Sequence, residues 1–155
     1  MKIRLVNGNL LEQSTDAIVN AWNRNIIPWW MLIPQGVSGA IKKSAGLEPF
    51  RQLGRMGPIP LGGAVSTSAG RLTFKAIIHV AGINMLWRAS KASIQDSVRN
   101  AMALASQSGM RSLAFPIIGA GSGSFNAGEA EKIMMETLIG LAHDLEVVVV
   151  RFKRT

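Results

Sequence analysis

Residues 146–152 read EVVVVRF, with four consecutive valines. A strand covered on one face alternates apolar and polar residues; an unbroken apolar run suits a strand covered on both faces. Helices are the natural cover. Residues 91–108 carry Ile94, Val98, Met102 and Ala105 on one helical face, and residues 127–142 carry Ala130, Ile133, Met134, Leu138 and Leu141 inward. A shorter helix is expected over 36–45, stopped by Gly46. Between these lie expected strands at 2–6, 17–21, 64–68, 76–80 and 112–118, with a helical turn at 10–14 and a turn at 69–74. Strands that alternate with helices argue for an α/β fold of three layers around a largely parallel sheet. No repeat or low-complexity linker divides the 155 residues, so a single domain over 1–155 is expected.

Charge bounds the partners. Lys plus Arg is 17 and Asp plus Glu is 9, a net charge of +8. That balance favours phosphates, nucleotides or nucleic acid, although no Lys/Arg run exceeds two and plain solubility explains it as well. The chain has no cysteine, which excludes disulfides and thiolate metal sites and is compatible with a reducing cytoplasm. Two distant histidines, His79 and His143, do not make a zinc site, and no metal or cofactor is expected. The apolar start is too short for a signal peptide, and IIPWWMLIP at 26–34 is broken by two prolines, so no membrane partner is expected.

Residues 114–126, AFPIIGAGSGSFN, lead from a strand through a glycine and serine loop to a helix. In open α/β sheets ligands bind beyond the carboxyl ends of the strands, where helix N-termini offer free N–H groups. Gly119, Gly121 and Gly123 let the backbone approach a phosphate; Ser122 and Ser124 add hydroxyls; Asn126 reads as the helix N-cap, with Glu129 three residues on. The spacing is neither a Walker loop nor a dinucleotide fingerprint, and an ordinary glycine-rich turn is the plain alternative.

A second cluster lies earlier. Asn20, Asn23 and Asn25 end the strand at 17–21, and PQGVSGAIKKSAG at 34–46 again sets glycines and Ser38 ahead of a helix. Two such loops would grip a diphosphate from both sides. Ser38 reads equally as an N-cap, and Asn20 and Asn23 as turn formers or satisfied core amides. Trp22, Trp29 and Trp30 are either packing or a lid that stacks on a sugar or base.

Four fragments in order, GNLLEQSTDAIVNAWN, GVSGAIKKSAG, GGAVSTSAGRLTFKAIIHVAG and SLAFPIIGAGSGSFN, resemble the macrodomains, which bind ADP-ribose. The resemblance implies a mixed sheet of six or seven strands between helix layers. It places Asn9, with Leu10 beside it, where the family's Asp accepts from the adenine amino group. It also places Asn23 at the distal ribose, with Asn20 in the same motif. It puts Gly36, Val37, Ser38 and Gly39 in the first diphosphate loop, and Gly119, Ala120, Gly121, Ser122, Gly123, Ser124 and Phe125 in the second. Phe152 ends the last strand, where it stacks on adenine or packs as core. His79 matches a family histidine and reads as a buried, hydrogen-bonded one.

Two departures bear on chemistry. Ser38 stands where the hydrolytic branch has an Asp that helps to position or activate water, and Gly123 replaces an aromatic that presses on the distal ribose. Without a carboxylate in either loop, the expected reaction is substrate-assisted. The ligand's diphosphate holds the attacking water while Asn23 and Ser38 orient it, and an ADP-ribosyl linkage or the related acetyl ester is cleaved. A non-catalytic ADP-ribose reader and a basic single-strand binder are the alternatives. The partner is then ADP-ribose, or a protein or nucleic acid that carries it.

Overall fold

The computed structural model describes residues 1–32, 36–121 and 123–152. Six strands are present: β1 (Lys2–Gly8), β2 (Ala17–Trp22), β3 (Ala64–Thr67), β4 (Ala76–Ala81), β5 (Ser112–Pro116) and β6 (Glu146–Phe152). They form one sheet in the order β1-β6-β5-β2-β4-β3, parallel throughout except for the antiparallel edge strand β3. The helices are α1 (Gly36–Ala45), α2 (Glu48–Arg55), α3 (Lys91–Gln107) and α4 (Ala127–Ile139). This is the three-layer α/β architecture expected, and its sheet is mixed.

The period of two along each strand divides the core. Ala17 and Val19 of β2, Ile78 and Val80 of β4 and Val147 and Val149 of β6 pack against α3 and α4. Their neighbours Ile18, Ile77, Val148 and Val150 pack against α1 and α2. The central strands β2, β4, β5 and β6 are covered on both faces, which is why they read as nearly unbroken apolar runs. Asn20 and His79 share the α1/α2 face and are paired in register across β2 and β4.

Several boundaries differ from the periodic pattern. The turn expected at 10–14 is a 3-10 turn over Leu10–Glu12, capped by the Asn9 side chain. Strand β5 stops at Pro116, where the missing N–H ends the ladder; Ile118 N–H turns instead to Met134 Sδ at 3.4 Å. Helix α4 ends at Ile139, with Gly140 as its C-cap. Helix α2 lies outside the expected elements and holds Pro49 and Gly54 within its eight residues. Pro49 sits in the first turn, where proline is tolerated, and Phe50 and Leu53 are fully buried. No helix among the described residues is long and apolar enough to cross a membrane.

Candidate functional site

The carboxyl ends of β2, β4 and β5 open into one cleft. Asn23 follows β2, Gly82 and Ile83 follow β4, and Ile117 and Ile118 follow β5. The amino end of α1 supplies Gly36, Val37 and Ser38, and the loop before α4 supplies Gly119, Gly121 and Gly123. Both loops expected at a diphosphate therefore meet across one space.

Each loop brings backbone donors. The first four N–H groups of α1 have no partner within the helix. In the second loop Gly119, Ala120, Gly121 and Gly123 donate to no backbone acceptor among the described residues. The loop keeps its shape by other bonds: Phe125 N–H to Gly119 O at 3.0 Å, and Ala89 N–H to Gly123 O at 3.1 Å. Asn126 Oδ1 accepts from Glu129 N–H at 3.0 Å and caps α4 as anticipated.

The glycines serve packing as well as access. Gly119 has φ +88°, and a Cβ there would lie 2.8 Å from Ala89 Cβ. A Cβ on Gly123 would meet Gly119 O at 2.6 Å. At Gly121 nothing lies within 4 Å of where a Cβ would stand. The plain reading of the loop as a tight turn thus holds at 119 and 123, while 121 is open towards the cleft.

Asn23 and Ser38 are oriented differently. Asn23 Oδ1 accepts from Asn25 N–H at 2.7 Å, an Asx turn completed by left-handed Asn25 at φ +59°. Its Nδ2 has no partner among the described residues and remains a donor at the cleft. Ser38 Oγ donates to Asn20 Oδ1 at 2.5 Å. Asn20 lies 3.0 Å from His79 Nδ1, and His79 Nε2 lies 2.8 Å from Thr67 Oγ1. Complete burial pushes the His79 pKa down to about 3, so the ring is neutral.

Some expected site residues do not line this cleft. Asn20 is fully buried, and its amide is spent on His79 and Ser38, so it reaches the cleft only through Ser38. Leu10 is a core residue, and Phe125 packs against the α3/α4 core. Gly39 is inside the first turn of α1, and Ser124 is exposed at φ +54°; neither lines the cleft, nor does Ala120. Asn9 uses its side-chain oxygen on Leu11 N–H at 2.9 Å. Phe152 is 62% exposed at the end of β6, opposite Gly8 in the register, away from any core. Ser122 lies outside the described residues.

The tryptophans divide. Trp22 borders the cleft but is buried edge-on against Phe50, with its indole N–H donating to Asn25 Oδ1 at 3.3 Å. Trp29 packs on Gly54, where a Cβ would meet its ring at 2.8 Å, and the Lys42 ammonium lies over it. Trp30 is 68% exposed in a separate cleft with Arg51 and Arg55. Neither Trp29 nor Trp30 covers the main cleft. Trp87 lines it instead, at φ +60° in a turn held by Asn84 Oδ1, which accepts from the N–H of Leu86 and of Arg88. An Asn opening a tight turn was the signal at 84–87; its distance in sequence from both loops hid its place.

A family model described as Macro domain matches residues 19–134. A macro domain-containing protein of Caldanaerobacter subterraneus is 32% identical, over 97% of this chain and 87% of its own. An O-acetyl-ADP-ribose deacetylase of Citrobacter rodentium is 34% identical, over 88% and 78%. A solved Oceanobacillus iheyensis macrodomain with ADPR superposes at a TM-score of 0.84, with 28% identity over 97% of this chain and 84% of that one.

Proposed function

The chain belongs to the Macro domain family, and we propose that its cleft binds the ADP-ribosyl group and hydrolyses its linkage to a second group. One observation carries the reading: the start of α1 and the glycines Gly119, Gly121 and Gly123, whose backbone N–H groups have no backbone acceptor among the described residues, line one cleft. Such donors suit a diphosphate, because they supply partial positive charge without a side chain. The relatives support the choice of nucleotide, since one is named a deacetylase of O-acetyl-ADP-ribose and one structure carries ADPR.

The distal ribose then falls beside Asn23 and Ser38. Water attacks the anomeric carbon while the bond to the departing carboxylate oxygen breaks, and the leaving group takes the bonding pair. The water's proton passes to a diphosphate oxygen, as neither loop offers a carboxylate. Asn23 Nδ2 donates to the attacking water or to the ribose, and Ser38 Oγ accepts. Isothermal titration with ADP-ribose tests the binding. Incubation with ADP-ribosylated protein tests turnover, and binding without release identifies a reader. Asn23→Ala is expected to lower kcat by about 10²-fold, with a smaller change in affinity; unchanged kcat removes Asn23 from the reaction.

A second reading, a single-strand binder, has an observation of its own. Exposed Trp30 beside Arg51 and Arg55 joins an aromatic face to two cations. Affinity for a short single strand that falls steeply with salt supports it, and a shallow slope shared with ADP-ribose argues for the diphosphate cleft alone.

A further inference from the structure

The polarity of the buried chain behind Ser38 is decided at its far end. Ser68 O is a carbonyl and accepts only; it takes the Thr67 hydroxyl proton at 3.0 Å. A hydroxyl has one proton, so Thr67 Oγ1 accepts from the other neighbour, His79 Nε2, at 2.8 Å. Nε2 therefore holds the ring proton. The imidazole is neutral in its dry surroundings, beneath the Phe50 ring at 6.0 Å between centroids, so Nδ1 is bare and accepts. The donor that meets it at 3.0 Å is Asn20 Nδ2. That turns Asn20 Oδ1 towards Ser38, whose hydroxyl donates to it at 2.5 Å. Reversing the chain would need Nδ1 to carry the proton and Nε2 to accept, and Thr67 would have to donate twice.

We infer that Thr67, His79 and Asn20 are positioning residues that hold the Ser38 hydroxyl proton inside the protein, so that Ser38 presents only lone pairs to the cleft and receives a hydroxyl or a water rather than a phosphoryl oxygen. The inference rests on the ADP-ribosyl reading for the identity of that hydroxyl. Ser38 becomes an acceptor without charge. Asn23 is its complement, because its oxygen is occupied by Asn25 N–H and its Nδ2 is free to donate. One O–H group placed between them accepts from Asn23 and donates to Ser38. Anionic oxygens are left to the backbone N–H groups of the two loops. The selection is set three residues deep: Asn20 on β2 is paired with His79 on β4, Thr67 on β3 lies diagonally across from His79, and none of the three lines the cleft.

Two measurements test this. Long-range proton–nitrogen spectra of histidine-labelled protein, with His143→Gln to assign the signals, are expected to show His79 Nε2 protonated and Nδ1 bare. Calorimetry then compares ADP-ribose with ADP, which lacks the distal ribose. Ser38→Ala and Thr67→Val are expected to weaken ADP-ribose by about three- to tenfold and to leave ADP unchanged, while Thr67→Ser, which keeps the hydroxyl, binds as wild type. A merely structural Thr67 would weaken both nucleotides together, and that result overturns the inference. So does a protonated Nδ1 in the wild-type protein, a measurement that needs no variant to fold. If the wild type binds neither nucleotide, the ADP-ribosyl reading fails while the spectrum still reports the chain's polarity.

Discussion

Gly121 and Gly123 sit two residues apart and answer to different constraints. A methyl group on Gly123 would press on Gly119 O at 2.6 Å, whereas on Gly121 it would meet no protein atom within 4 Å. Gly121→Ala is therefore expected to keep wild-type stability and lose at least about tenfold in ADP-ribose affinity, because the new methyl occupies the approach to the N–H groups. Gly123→Ala is expected to lose stability as well. Thermal melts beside titrations separate the two, and a Gly121→Ala protein that binds normally would mean the ligand does not approach that segment. Neighbouring side chains can thus look alike in sequence and differ in duty. Asn20 and Asn23 show the same thing: the spacing N-A-W-N marks both, but the alternation of β2 turns Asn20 into the α1/α2 layer, and only Asn23, past the strand end, meets the cleft.

At the scale of elements, α2 and the turn at 84–87 are the parts that local pattern did not announce. Helix α2 has eight residues, too few to display a period, and is held by tertiary burial of Phe50 and Leu53. Phe50 stands edge-on to Trp22 at 5.4 Å and to His79 at 6.0 Å between centroids, so it closes the layer under the Ser38 chain. Phe50→Ala is expected to cost about 3–5 kcal/mol, read as a lower urea midpoint. A loss under about 1 kcal/mol would show that α2 does not hold that layer shut. The turn that presents Trp87 is tied to the glycine loop by Ala89 N–H to Gly123 O at 3.1 Å, so the two loops are one unit in space. Trp29 and Trp30 do not line the main cleft, because the 25–30 segment leans on α2, with Trp29 against Gly54.

For the whole molecule, the buried histidine couples folding to pH. The folded protein holds His79 near a pKa of about 3, against 6.5 when exposed, because burial disfavours the charged ring. The folded value is depressed, so the contribution to stability is complete above about pH 6.5. It declines as pH falls towards 3, since only the unfolded chain takes up the proton. The expected slope is about 1 kcal/mol per pH unit in that window. Asp16, lowered chiefly by the Arg111 N–H, and Glu131, lowered chiefly by its hydrogen bonds from Arg151, add to the loss only once free carboxyls begin to protonate, near pH 4. Urea midpoints between about pH 7.5 and about pH 4.5 test the sign. A flat profile across that range would mean that His79 is not enclosed.

The order of apolar runs, helical faces and glycine loops determined the layered α/β sheet, because burial on both faces leaves a continuous apolar run and on one face a helical period. It also marked both loops that border the cleft, because free N–H groups at helix starts follow from local geometry. Which side chains face the cleft was decided only in three dimensions. Strand parity sends Asn20 inward, the packing of Ala89 against Gly119 and Gly123 brings Trp87 to the cleft, and Thr67 meets His79 only because β3 pairs with β4. Such contacts join residues far apart in the chain, and no local spacing encodes them.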